Sequence, residues 1–298
     1  MKIPDTYGLP QQLTTRRRFD RAAATFDGAD ALHAEARERL LERLVLLGAQ
    51  PSTILDLGAA TGSASAILAG RYPGASIIAA DSSLSMAQRV RGKFADREKI
   101  VPMQCDAHAL PCAEESVDLV FANLLLPWVL PDRVFGECAR VLRPGGLALF
   151  TTFGPDTLIE LRRAWTAVDH GIHVHGFIDM HDIGDLALRA GLVEPVIDVD
   201  RLTISYRSTA ALMAELQATG SANSAAGRRE GLTGRTRFRA FETAFCEQAE
   251  TGRPAVTVEL VFLQAWGAGR RQAVPRPADG VARIAAEDLA RTARKPPS

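Results

Sequence analysis

The stretch Thr53-Ile54-Leu55-Asp56-Leu57-Gly58-Ala59-Ala60-Thr61-Gly62 decides the fold class. Residues 53–57 have the apolar, β-branched character of a buried strand. They run into a turn of small residues, and a helical stretch at 63–71 follows, ended by Pro73-Gly74. Small residues let the backbone reach unusual φ/ψ and approach a ligand closely. Downstream the pattern repeats. Residues 76–81 read as a second strand ending in Asp81, and a helix over 84–94 starts after the N-cap pair Ser82-Ser83. A third strand at 100–104 leads to Cys105-Asp106. Residues 117–122 form a fourth strand, 131–142 a helix, Arg143-Pro144-Gly145-Gly146 a turn and 147–152 a fifth strand. Strands alternating with helices predict an α/β, doubly wound, mostly parallel sheet.

Upstream, residues 1–15 read as a polar lead and 16–47 as helical. Ala22, Ala23, Phe26, Leu32, Ala36, Leu40, Leu41, Leu44 and Leu47 recur at helical spacing, and Gly48 is the stop. After Phe153 the rhythm changes. Residues 156–168 look helical, 170–177 form a His- and Gly-rich loop, and 180–190 are helical up to Gly191. Strands are expected at 196–205 and 256–266, with a helical, Arg-rich insert between them that caps the site. Four regions result: an N-terminal helical segment covering the site (1–48), a cofactor-binding core (49–155), the insert with the late strands completing the sheet (156–268), and a flexible tail (269–298) whose residues 281–294 form one weak helix.

Composition narrows the function. The chain has 298 residues, 47% hydrophobic and 23% charged, enough for one large α/β core with additions. No apolar run of about 18 residues predicts a membrane span. Arg16, Arg17 and Arg18 are followed by no apolar stretch, so the start does not read as a secretory signal. Four cysteines without zinc spacing suggest reduced thiols and a cytoplasmic protein. A net charge of zero argues against bulk nucleic-acid binding.

Ligands of open α/β sheets sit at the C-terminal ends of the strands, near the topological switch. Three acids stand at such ends in order. Asp56 suits the amino group of an amino-acid moiety, Asp81 can accept from two ribose hydroxyls, and Asp106, followed by Ala107, can accept from the exocyclic amine of adenine. The turn is Gly58-x-x-x-Gly62 with Ala60 inside it, not Gly-x-Gly-x-x-Gly, so it is less shaped to seat a pyrophosphate. That favours S-adenosylmethionine over a dinucleotide.

At these residues the chain resembles the class I methyltransferases. The likeness rests on Ile54-Leu55-Asp56-Leu57-Gly58, Asp81 with Met86, Asp106-Ala107 with Leu110-Pro111, Val117-Asp118-Leu119-Val120-Phe121, Asn123-Leu124, and Arg140-Val141-Leu142-Arg143-Pro144-Gly145-Gly146. Phe153-Gly154-Pro155-Asp156-Thr157-Leu158, Glu160-Leu161-Arg162, Phe177-Ile178-Asp179-Met180-His181-Asp182-Ile183-Gly184-Asp185 and Gly231-Leu232-Thr233-Gly234-Arg235 are similar to the malonyl-[acyl-carrier protein] O-methyltransferases of biotin synthesis. So is Arg17-Arg18-Phe19-Asp20-Arg21-Ala22-Ala23. The resemblance implies a Rossmann-like, seven-stranded sheet and an S-adenosylmethionine site built from Asp56, Gly58, Ala60, Gly62, Asp81, Met86, Asp106, Ala107 and Asn123. It further implies methylation of the free malonyl carboxylate on acyl-carrier protein. A paralogue with another small-molecule or protein substrate is the alternative, as is a non-catalytic or arginine-modifying assembly factor of the same fold.

The departures concentrate around the substrate. Ala60 stands where the family usually has Gly, Phe26 where it has Tyr, and Pro127 where it has a polar residue before Trp128. His173-Val174-His175-Gly176-Phe177 lacks the family's Asn-Arg before the Phe, and Pro254-Ala255-Val256-Thr257 lacks an aromatic. Methyl transfer to an ionised carboxylate requires orientation rather than acid–base groups, so no Ser/His/Asp set is expected. Phe26, Trp128 and His175 are the candidates for lining the reaction. His173, His175, Asp179 and His181 have ligand chemistry but carry no metal assignment. Arg228, Arg229, Arg235, Arg237 and Arg239 form a docking patch for an acidic carrier protein.

Overall fold

The computed structural model describes residues 10–229, 231–248 and 253–268; the expected tail and its helix at 281–294 lie outside them. All the described residues belong to one compact unit. In chain order the elements are α1 (Gln12–Ala22), α2 (Ala31–Leu46), β1 (Thr53–Leu57), α3 (Ser63–Arg71), β2 (Ser76–Asp81), α4 (Leu84–Lys93), β3 (Ile100–Gln104) and β4 (Val117–Asn123). Then come α5 (Pro131–Val141), β5 (Leu142–Phe153), α6 (Ile159–Thr166), α7 (Met180–Arg189), β6 (Leu192–Ser205), α8 (Thr209–Ala218), α9 (Arg235–Cys246) and β7 (Ala255–Gly267).

The seven strands run in the order β3-β2-β1-β4-β5-β7-β6. The first five are parallel, β7 is antiparallel to β5, and β6 is antiparallel to β7. The order turns back between β1 and β4, so the switch point lies where the Asp56–Gly62 turn leaves the sheet. Both faces are covered, which is why the central strands read as unbroken apolar runs. Alternate residues feed two cores. Ile54, Ile77, Leu119, Phe121 and Leu149 pack on one face with α2, α3, α6, α8 and α9. Leu55, Leu57, Val120, Ala122 and Phe150 pack on the other with α5 and α7.

Four boundaries differ from the sequence reading. Residues 16–47 are not one helix: α1 ends at Ala22, a short 3₁₀ turn Phe26–Gly28 intervenes, and α2 starts at Ala31. The Thr25 hydroxyl donates to Ala22 O and to Ala218 O, bending the chain toward the insert. Residues 143–146 are not a free turn but the bulged start of β5. The register with β4 shifts between Val117 and Leu119, and Gly145 takes φ +74°. The expected helix at 156–168 is shortened to Ile159–Thr166, because residues 154–157 hydrogen-bond to β7. β6 starts at Leu192 rather than 196, with a bulge between Val193 and Val196.

Candidate active site

The Gly58–Gly62 turn is built by its own backbone. Gly58 N and Ala59 N both donate to Ala80 O, at 2.8 and 3.0 Å. Gly58 has φ +75°, and a Cβ there would stand 3.1 Å from the Leu125 side chain. Ala60 also takes a left-handed conformation, φ +48°. Its N–H donates to Asp81 Oδ2 at 3.0 Å, and its methyl packs on Ala23, Phe26 and Met86. That packing and hydrogen bond offset the roughly 1–2 kcal/mol that a side chain costs in this region.

A cavity of about 100 Å³ opens over this turn. Asp56, Gly58, Ala60, Asp81, Asp106, Ala107 and Asn123 line it, with Phe26 and Trp128 on the side of the N-terminal helices. Gly62 and Met86 stand behind the wall. A Cβ on Gly62 would meet the Phe94 ring at 2.7 Å, so this glycine seats α3 against α4. Met86 is fully buried beneath Ala23 and Phe26, and its N–H donates to Ser83 Oγ, the N-cap of α4.

The acids are electrostatically distinct. Asp56 is buried and accepts from Ser65 Oγ at 2.5 Å; burial pushes its pKa up to about 6. Burial likewise raises Asp81 to about 6, against the hydrogen bonds it accepts from Ser83 N and Ala60 N. Asp106 is largely exposed and accepts from His108, whose other ring nitrogen accepts from Leu130 N at 2.9 Å. Asn123 is oriented from both ends: its amide donates to His33 O, and its carbonyl accepts from the Thr151 hydroxyl.

Sequence reasoning missed two residues of this wall, His33 and Arg37 of α2. His33 is half-buried, its Nδ1 is buried and unpartnered, and loss of solvent lowers its pKa to about 4. Arg37 contacts Asp30 at 3.5 Å, and its Nε is buried without a partner. On a helix that reads as a covering element, neither carried a motif signal.

His33 and Trp128 also line a second, larger cavity of about 400 Å³. Its walls are mainly apolar, from Leu32, Phe153, Leu161, Leu212 and Val258, with Arg18, Arg228 and Arg229 among the polar residues. His175 faces it, 4% exposed, with both ring nitrogens unpartnered; burial lowers its pKa to about 4. The ring packs edge-on against Trp128 and Phe177. Arg162 fixes the loop beneath by donating to Pro155 O and His175 O.

The loop histidines do not converge. His173 stacks on Trp165 at 3.7 Å, itself stacked on Phe241 of α9, and pairs with Asp169, while His181 is exposed beside its N-cap Asp179. Among the described residues no cluster of three potential metal ligands forms. Gly176 lines separate pockets beside Pro127 and Arg162, not the cavity that His33 and Trp128 share with the first.

The N-terminal helix closes both cavities. Asp20 accepts from Ser83 Oγ and Ser85 N, Gln12 donates to Trp128 O, and Thr15 donates to Ser224. No helix among the described residues is long and apolar enough to cross a membrane.

Known proteins share this architecture. Residues 55–150 match the model of a methyltransferase domain. The fold is similar to that of the YcgJ protein of Bacillus subtilis (TM-score 0.56, 14% identity, 78% of this chain and 99% of that one). It also resembles phosphoethanolamine N-methyltransferase 2 of Haemonchus contortus in complex with S-adenosyl-L-methionine (TM-score 0.51, 16% identity, 84% and 57%). In sequence the chain is 41% identical over 260 residues to the malonyl-[acyl-carrier protein] O-methyltransferase of Laribacter hongkongensis, covering 84% of this chain and 88% of that protein. It is 38% identical over 278 residues to the enzyme of the same name from Methylovorus sp., covering 91% and 94%. With identities of this size across nearly the whole length, the chain belongs to the malonyl-[acyl-carrier protein] O-methyltransferase family of class I methyltransferases.

Proposed function

We propose that the protein uses S-adenosylmethionine to methylate the free carboxylate of a malonyl thioester carried by acyl-carrier protein, a step of biotin precursor synthesis. One observation carries this reading. The cavity at the sheet's switch point, lined by Asp56, Asp81 and Asp106, shares His33 and Trp128 with a second, larger and mainly apolar cavity.

The residues present fit the cofactor. Asp81 faces the ribose position, Asp106 and Ala107 the adenine position, and Asn123 lies deeper in the same wall. Asp56 suits the amino group of the methionine part. The unpartnered Nε of Arg37 supplies a donor for its carboxylate. The backbone at Gly58 and Ala60 lets the ligand come close. When bound, S-adenosylmethionine supplies a methyl group already activated on a sulfonium sulfur.

The protein's own work is then orientation and exclusion of water. A carboxylate of pKa about 4 is ionised near neutral pH without a base. Holding reactants in line contributes roughly 7–11 kcal/mol in favourable cases. Trp128 presents apolar surface at the junction of the two cavities, and Phe26 lines the first of them. His175 and His33 stay neutral at physiological pH, so they offer hydrogen bonds rather than charge.

Carrier docking is assigned to the Arg-rich segment. Arg228 and Arg229 line the substrate cavity, and Arg235 and Arg239 are exposed on α9. Arg237 lies between them, 3.5 Å from Asp169. Complementary charge there speeds encounter with an acidic carrier and makes it salt-sensitive. A cytoplasmic location agrees with the four free thiols.

The decisive measurement is methyl transfer from labelled S-adenosylmethionine to malonyl-acyl-carrier protein, expected to yield the methyl ester. Cofactor binding without transfer would redirect the reading to another acceptor. Absence of cofactor binding in calorimetry would leave only the assembly-factor alternative.

A further inference from the structure

Several arginines among the described residues are held by acids. Arg39 pairs with Glu35 and Asp200, Arg43 with Asp198, Arg140 with Glu137 and Arg143 with Asp118. Arg18 is different. It sits on α1, half-buried, on the wall of the larger cavity. Its Nε is buried without a hydrogen-bond partner. No carboxylate among the described residues pairs with it. The charged groups that act on it most are Arg228, on the same cavity wall, and Arg21, both positive. The acid that does line this cavity, Glu215, accepts from the Tyr206 hydroxyl at 2.9 Å.

Taking a guanidinium partly out of water is costly unless an anion and good hydrogen bonds repay it. Guanidinium keeps its charge at any physiological pH and matches a carboxylate with a planar fork of donors. Arg37, the other arginine with an unpartnered Nε, faces the smaller cavity and has Asp30 beside it. Arg229 is exposed. The position that calls for an anion from the substrate is therefore on the N-terminal helix, one residue from Phe19, whose ring packs edge-on against Trp128 at the junction of the cavities.

We propose that Arg18, with Arg228 beside it, anchors the free carboxylate of the acyl substrate and so sets specificity for a thioester that ends in an acid. The inference rests on the methyl-transfer reading above and names the residue that selects its acceptor. Arg18 holds one end of the carboxylate while the other oxygen is free to face the cofactor cavity. Esterification abolishes the charge, so the product loses its hold on Arg18 and leaves. Because α1 is also tied to the turn between β2 and α4 through Asp20, substrate selection and closure of the cofactor site lie on the same helix.

The test compares wild type, Arg18→Met and Arg18→Lys. Methyl transfer to malonyl-CoA gives KM and kcat. Calorimetry on protein loaded with S-adenosylhomocysteine gives the affinity for malonyl-CoA and for its methyl ester. Wild type should bind the acid at least roughly tenfold more tightly than the ester, the scale of a charged hydrogen bond. Arg18→Met should erase that preference and raise KM by about as much, with kcat little changed. Arg18→Lys should restore part of it. Affinity for S-adenosylhomocysteine should be equal in all three, which also reports folding. An unchanged KM and acid-to-ester ratio in folded Arg18→Met would overturn the proposal while leaving malonyl methylation standing. If Arg18→Met does not fold, Arg18→Gln takes its place with the same expected outcomes. Wild type that neither binds nor methylates malonyl-CoA or malonyl carrier protein would remove the methyl-transfer reading, and this assignment with it.

Discussion

Asp81 shows how much one side chain does in this site. Its carboxylate accepts from Ala60 N and Ser83 N, so it holds the small-residue turn and the start of α4 at once. Burial, with the Asp20 carboxylate nearby, pushes its pKa up to about 6 against the hydrogen bonds it accepts. Removing the charge while keeping the shape isolates its role toward the ligand. Asp81→Asn should weaken S-adenosylmethionine binding by about 1.5–3 kcal/mol, the worth of hydrogen bonds to a charged group, or roughly ten- to hundredfold in Kd. Calorimetry on the folded variant checks this, and an unchanged Kd would remove Asp81 from the ribose position. The acids at the strand ends were legible in sequence because the alternation of strands and helices assigns each a place on the sheet. Ala60 was legible only as a departure. Its methyl packs on Phe26, and sequence cannot tell a methyl that blocks a ligand from one that packs away from it.

At the level of elements, the central strands came through almost to the residue: β1, α3, β2 and β3 occupy the predicted spans. For β1 and β2 the cause is burial of the sheet's interior strands, which leaves apolar runs bounded by abrupt turns; the edge strand β3 was marked by its place in the alternation. The misread boundaries all lie where distant chain intervenes. The expected start of α6 is one. Asp156 N donates to Glu259 Oε2, Thr157 exchanges hydrogen bonds with the Glu259 backbone, and Arg201 approaches Glu259 Oε1 at 3.4 Å. The bonds from Asp156 and Thr157 cross more than a hundred residues of sequence and unwind what periodicity would make helical. They also place Phe153, Thr157 and Leu158 in the wall of the larger cavity. Gly154 is the tight point, since a Cβ there would lie 2.4 Å from Glu259 Oε2, which is pinned by its own partners. Gly154→Ala should therefore destabilise the fold by about 1–3 kcal/mol, the usual cost of overpacking. The urea midpoint should fall accordingly, and Glu259→Ala in the same chain should recover part of the loss. A midpoint equal to wild type would mean that the Glu259 side chain moves freely.

Across the whole molecule, four ionisable groups around the two cavities, each largely out of water, shift in opposite directions. His33 and His175 fall to about 4, while Asp56 and Asp81 rise to about 6. Periodicity along the chain gave no hint of this. The pattern arises because α1, α2, the turn after β1 and the insert close over the same space, through contacts such as Thr15 with Ser224. Its sign can be worked out. Between pH 6.5 and 4 the unfolded chain binds more protons at the histidines than the native protein does, so acidification costs stability there. Between pH 6 and about 3.8 the native protein binds more protons at the two acids, so acidification adds stability. Over the shared window, about pH 6 to 4, the two contributions oppose each other, so the ligand-free protein should change little in Tm there, with a modest loss just above it where only the histidines act. Cofactor binding in the proposed arrangement has no such balance, because the ribose hydroxyls and the ammonium group of S-adenosylmethionine would then require Asp81 and Asp56 as carboxylates. The rise in Tm that saturating S-adenosylmethionine produces should thus be clearly smaller at pH 5.5 than at pH 7.5, with the change centred near pH 6. Thermal unfolding with and without ligand at both pH values decides it. An equal shift at the two would mean that the acids facing the cofactor stay ionised well below pH 6, and that burial does not govern their charge.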